Sequence, residues 1–105
     1  MEDLHHPDTS DIRLVDVLAA LGHPVRLEAA RTLANGEERF CGEILRDVPK
    51  SSMTHHWRML RESGVIRQRR DGRKFFLTLR RDDLDARFPG LLDLVLTDRA
   101  APSPS

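Results

Sequence analysis

Asp71-Gly72-Arg73 lies between two six-residue runs, VIRQRR (65–70) and KFFLTL (74–79). Asp-Gly between segments of strand character is a strong local signal for a tight hairpin, because glycine takes the positive φ that the turn requires. In the segment just before it, Met53, His56, Trp57 and Leu60 recur at i, i+3, i+4 and i+7. That spacing is the buried stripe of an amphipathic helix, which Gly64 ends. The chain must therefore feed a helix directly into a two-stranded hairpin.

The upstream residues supply more helices. Ile12, Val15, Leu18, Ala19 and Leu21 repeat at helical spacing, with Ser10 or Asp11 able to cap. Gly22 and Pro24 then break the chain, and Pro24 suits the first turn of a second helix running to about Ala34. That helix is expected to bury Val25, Leu27, Ala30 and Leu33, and Asn35-Gly36 stops it. A short extended piece around Arg39–Cys41 leads to a brief helix reaching Asp47, with Ile44, Leu45 and Val48 turned to the core. Pro49, Lys50 and Ser51 connect it tightly to the helix over 51–63. After the hairpin, a segment beginning at Arg81–Asp85 continues through Pro89 into a last helix carrying Leu91, Leu92, Val95 and Leu96. The expected class is mainly α with a small β-hairpin wing, a winged helix-turn-helix. Residues 1–10 read as a flexible arm, 11–98 as the domain and 99–105 as a disordered tail.

With 105 residues the chain fits one domain whose thin core a partner subunit would help to complete. No apolar run approaches the ~20 residues that cross a bilayer, and the acidic start MEDLHHPDTSD is unlike a signal peptide. One cysteine rules out an internal disulfide. The expectation is a soluble cytoplasmic protein with no membrane partner.

Formal net charge is zero, but it is segregated. Residues 50–81 hold ten basic groups against two acidic ones, a window at +8, and the rest of the chain is at −8. A concentrated basic stretch suits a polyanion, although a merely solvated arginine-rich face has the same composition. The outward positions of the helix decide between them. With the stripe turned inward, Ser52, Thr54 and His55 are the expected base readers in a DNA major groove, and Arg58 reaches a base or a flanking phosphate. Lys50 and Ser51 suit phosphate positioning at the helix start. Arg67, Arg69, Arg70, Arg73 and Lys74 would lie along the backbone, with Arg73 at the hairpin tip able to enter the minor groove. His56 and Trp57 belong to the core, His56 as a structural histidine that hydrogen-bonds locally.

LAALGHPVRLEAARTLANG (18–36), SSMTHHWRMLRESGVI (51–66) and RRDGRKFFLTL (69–79) resemble the ArsR/SmtB-type winged helix-turn-helix transcriptional regulators. The resemblance covers about residues 12–97. It implies a dimeric repressor that binds double-stranded operator DNA and releases it on a signal, with Lys50, Ser51, Ser52, Thr54, His55 and Arg58 on the DNA. It also implies a homodimer through the terminal helices, using Leu14, Leu18, Leu91, Leu92, Val95 and Leu96. Pro49 and Lys50 stand where most members open the recognition helix with serine and glutamine, and Trp57 replaces a usual leucine. Those departures imply altered groove insertion or sequence preference.

The family's metal sites are not matched. Cys41 stands at the thiolate position without a second cysteine, and the last segment offers Asp82, Asp83, Asp85, Asp93 and Asp98 but no histidine. No metal or other cofactor is therefore expected, apart from a residual case for His5, His6 and Cys41 acting across a dimer. Cys41 reads as a small core residue or, alternatively, a thiol redox switch. A small-molecule or protein effector is a further reading. Neither a phosphate-binding glycine loop nor a catalytic constellation is present, so an enzyme is not expected. The rival readings are a protein-interaction winged helix and a non-specific architectural DNA binder. Exposed Ser, Thr, His and Arg on the helix favour sequence-specific DNA binding.

Overall fold

The computed structural model describes residues 4–44 and 48–97. The expectations placed on Leu45, Asp47, Asp98 and the 99–105 tail lie outside the described residues. The order is α1 (Leu14–Leu21), α2 (Pro24–Thr32), β1 (Arg39–Phe40), α3 (Cys41–Ile44), α4 (Lys50–Ser63), β2 (Ile66–Asp71), β3 (Lys74–Leu79), α5 (Arg81–Arg87) and α6 (Leu91–Thr97). This is a mainly helical winged helix-turn-helix, with α3 and α4 as the helix pair.

The hairpin forms as the sequence expects, with a shifted turn. Asp71 pairs with Lys74, so the two loop residues are Gly72 and Arg73. Gly72 has φ +65° and Arg73 does not have positive φ, the pattern of a turn with glycine at its first central position. β1 adds a third antiparallel strand in the order β1-β3-β2, with Phe40 opposite Phe76.

The core lies between α1, α2, α4 and the base of the sheet. Leu33, Leu60, Val65, Ile66, Leu77 and Leu84 are fully buried. Each such side chain contributes roughly 1.5–3 kcal/mol by leaving water. Gly64 closes α4 at φ +91°. Its N–H donates to Arg61 O and the next N–H, of Val65, reaches back to Leu60 O, a Schellman ending that aims the chain straight into β2. A Cβ on Gly64 would meet Ile12 at 2.6 Å, so the turn and the core are set by the same atom-sized space.

Three sequence readings change. In α1 the buried residues are Val17, Ala20 and Leu21, while Val15 and Leu18 are 59% and 47% exposed. The reason is phase: the helix begins at Leu14, and Ile12 reaches the core from extended backbone. In α2 the stripe is Arg26, Ala29, Ala30 and the C-cap Leu33, with Val25 and Leu27 only half-buried. Arg26 takes an apolar position because its Nε donates to Ala20 O at 2.6 Å and its Nη2 to Ala19 O at 3.4 Å. The cation thus satisfies the open carbonyls at the C-terminus of α1.

The third change concerns the N-terminal stretch, expected as a loose arm. Residues 4–11 are seated on the base of the wing. Gln68 N–H donates to His6 Nε2 at 2.9 Å, Arg80 Nη1 to Pro7 O at 2.8 Å and Thr9 Oγ1 to Asp83 at 2.7 Å. The arm thereby satisfies a backbone donor on the outer strand of the sheet.

Candidate nucleic-acid interface

α4 presents one polar face to solvent. Lys50, Ser51, Ser52, Thr54, His55 and Arg58 are all exposed, and His56, Trp57, Leu60 and Ser63 are buried on the opposite side. Met53, expected in the stripe, is half-buried. Pro49 stands at the N-cap and contributes no side-chain hydrogen bond, so no capping group offsets the positive end of the helix dipole. Arg58 is paired along the helix with Glu62 at 3.1 Å and remains 66% exposed.

The orientation of α4 is fixed from behind by a buried polar contact. Arg26 Nη1 lies 3.2 Å from His56 Nδ1, and the His23 ring packs 4.8 Å from that of His56. His23 Nδ1 also accepts from Val25 N–H at the start of α2. Burial, then the neighbouring His23, Arg26 and His55, lowers the pKa of His56 below the usual imidazole value. A neutral ring can accept the arginine's hydrogen bond, and a protonated one cannot. His56 is structural, as expected, but its partner comes from another helix.

The wing divides in two. At its base the cations are matched. Arg69 makes a bidentate pair with Glu38 at 2.6 and 2.7 Å, Arg67 lies 3.8 Å from Asp83, and Arg80 donates to Asp83 at 2.8 Å. The Arg69 hydrogen bond holds the Glu38 carboxyl below its ordinary pKa. Thr9 and Arg80 do the same for Asp83. Arg69, expected on DNA, is thus already clamped to a carboxylate. Toward the tip, Arg70, Arg73 and Lys74 form no ion pair among the described residues, and neither does Lys50. Arg70 and Lys74 rest over the rings of Phe75 and Phe40 at 5.8 and 5.1 Å.

Between the start of α4 and the wing tip lies an open cleft of about 470 Å³, lined by Phe40, Phe75, Met53 and Trp57, with Lys50 and Arg73 among its walls. Cys41 also borders it, half-buried at the start of α3. Sequence reasoning missed this cleft. Phe40 and Phe75 lie far apart in sequence, and only the pairing of β1 with β3 brings them together. Among the described residues no group of three or more His, Cys, Asp or Glu is placed to hold a metal ion. His6 is occupied by Leu4 O and Gln68 N–H.

On the expected dimer face, Leu14 and Leu18 are 43% and 47% exposed, and Leu91, Val95 and Leu96 are half-buried. Leu92 is fully buried within the protomer, so its surface is not available to a second subunit. Val15 and Leu94, at 59% and 71% exposed, are the additional apolar residues there. Among the described residues no helix is long and apolar enough to cross a membrane.

Residues 21–69 match a helix-turn-helix domain family. The chain is 34% identical over 80 residues to the uncharacterized HTH-type transcriptional regulator YceK of Bacillus subtilis, covering 73% of this chain and 80% of that protein. Among solved structures, the transcriptional repressor BigR from Xylella fastidiosa superposes with a TM-score of 0.59 at 27% identity, covering 82% of this chain and 88% of that one. An ArsR family transcriptional regulator superposes with a TM-score of 0.65 at 24% identity over 77% of this chain and 90% of its own, a likeness of fold. With the polar helix face and its adjoining cations, these likenesses identify a DNA-binding regulator and not an enzyme: the chain belongs to the HTH-type transcriptional regulators.

Proposed function

We propose that this regulator is a homodimeric repressor that reads an inverted repeat in double-stranded DNA. The carrying observation is the meeting of two surfaces: the polar outer face of α4 and the wing tip border one cleft through Lys50, Thr54 and Arg73, and Lys50, Arg70, Arg73 and Lys74 have no ion-pair partner among the described residues. Ser52, Thr54 and His55, in the N-terminal half of α4, would reach base edges in the major groove, with Arg58 at a base or phosphate beside them. Lys50 and Ser51 would position the nearest phosphate. Arg73 at the wing tip would enter or straddle the minor groove, with Arg70 and Lys74 on the backbone. Arg67 and Arg69 would add only long-range attraction, because their charges are matched by Asp83 and Glu38.

Leu14, Val15 and Leu18 on α1 and Leu94 on α6 are the exposed large apolar side chains among the described residues, which supports pairing through the terminal helices. A two-fold axis there would set two α4 helices on half-sites about one helical turn apart. In a cell the protein would work at the chromosomal DNA in the cytoplasm. Selection of binding sites from a randomised duplex pool, at near-physiological salt, tests this. Recovery of a palindromic motif supports the proposal. Enrichment without a motif would replace it with architectural, sequence-independent binding. No retention of DNA at all would favour a protein-interaction winged helix.

A further inference from the structure

The cleft between α4 and the wing tip combines three properties that DNA binding does not require. Its lining is mainly apolar, with Phe40, Phe75, Met53 and Trp57. Two cations without ion-pair partners among the described residues, Lys50 and Arg73, border it. Trp57, only 4% exposed, has an indole Nε1–H with no hydrogen-bond acceptor among the described residues. A buried donor left without a partner costs free energy and marks the packing beside the cleft as incomplete. A phosphodiester backbone uses the cations but offers nothing to a 470 Å³ aromatic-lined space.

We propose that this cleft binds a small amphipathic organic carboxylate, its apolar body among Phe40, Phe75, Met53 and Trp57 and its carboxylate held by Lys50 and Arg73, and that occupancy opposes DNA binding. A few apolar walls with a small number of placed polar groups is the usual make-up of a small-molecule site. The opposition to DNA follows because Lys50 and Arg73 cannot serve a carboxylate and a phosphate together. This part rests on the DNA-reading proposal above, whereas binding to the cleft does not. By linkage, the ligand would lower DNA affinity by the same factor as DNA lowers ligand affinity.

Trp57 is the sole tryptophan, so its fluorescence reports on the cleft directly. The full chain is titrated with octanoate and 3-phenylpropionate, and with 1-octanol and inorganic phosphate at matched ionic strength. The expected result is a saturable change with the carboxylates, about tenfold weaker binding of octanol for want of a charge-assisted contact, and no change with phosphate. Lys50→Gln, an exposed position, should narrow the advantage of octanoate over octanol, Arg73 alone then holding the carboxylate. Octanol binding as tightly as octanoate, an equal response to phosphate, or no saturable response to either carboxylate would overturn the site. Met53→Ala, checked for folding by circular dichroism, should weaken octanoate binding while leaving affinity for a selected duplex unchanged. Should that variant not fold, the Lys50→Gln comparison still decides. Octanoate bound in the cleft with wild-type duplex affinity unaltered would overturn the antagonism alone.

Discussion

The two ends of the wing carry similar numbers of cations and use them differently. At the base, Arg67, Arg69, Arg80 and Arg81 face Glu38, Asp83, Asp85 and Asp93. At the tip, Arg70, Arg73 and Lys74 face no carboxylate within ion-pair distance among the described residues, and Lys50 joins them from α4. The strongly basic window of the sequence is therefore an overestimate of the footprint. Most of the compensating acids sit outside the window in sequence and fold back onto its lower half. The base is structural electrostatics, and the tip is charge left available to a polyanion.

Breaking the base should have the largest effect, and on folding. The Arg80 side chain is 4% exposed and holds Asp83 and Pro7 O together. Arg80→Ala leaves Asp83 and the Pro7 carbonyl without that partner, and should cost about 2–4 kcal/mol, discounted for the partial exposure of Asp83. Urea unfolding would measure it. A loss below about 0.5 kcal/mol would mean that water replaces the arginine freely and that the base is not structural.

Breaking the tip should do the reverse. Arg70→Gln with Arg73→Gln should leave unfolding unchanged within about 0.5 kcal/mol, since both side chains are exposed. The slope of log K against log salt should fall by about 0.9 for each phosphate that a protomer no longer neutralises. Fluorescence anisotropy on a selected duplex at several salt concentrations gives this slope. An unchanged slope would remove the wing tip from the DNA interface.

Arg69→Gln sharpens the boundary between the two ends. With Glu38 holding the guanidinium bidentately, the variant should reduce the salt slope by much less than the tip pair does. A reduction equal to that of Arg73→Gln would mean that Glu38 yields Arg69 to a phosphate when DNA arrives.

Much of this fold is legible in the sequence, and the failures are informative. Gly64, the hairpin turn at Gly72 and the 56–57–60 part of the helix stripe act through local backbone rules, and they sit where the spacing puts them to within one residue. The inward phase of α1 depended on where the helix starts, which no cap residue marks: Arg13 at its N-cap makes no side-chain hydrogen bond. Arg26 has no sequence signal as a buried capping residue, because its acceptors are carbonyls at the end of another helix. The polar face of α4 was readable because one periodicity fixes both faces. The sorting of wing arginines into matched and unmatched was not, since Glu38 and Asp83 reach them only through tertiary structure. The cleft was hidden for the same reason.

The smallest effect expected is a pH dependence that belongs to the structural elements and not to the tip. His6 Nδ1 lies 3.1 Å from Leu4 O, and Nε2 accepts from Gln68 N–H, a pairing that requires the neutral ring. Its pKa is lowered chiefly by burial, against a raising hydrogen bond to Leu4, with Arg67, Arg61 and Arg80 adding to the lowering. His56 is lowered as well, again first by burial. Below the ordinary imidazole value of about 6.5 the unfolded chain then binds more protons than the folded one. Stability should thus be complete above that pH and fall as the pH drops from there through the lowered folded values. Asp83 and Glu38 add a separate loss only at lower pH, as their carboxylates protonate. Melting temperatures between pH 7.5 and 5 should decline for the wild type and less for His6→Ala, whose arm no longer depends on a neutral ring. An identical decline in both would leave the loss to His56 and would make the seat of the arm on β2 independent of His6 protonation.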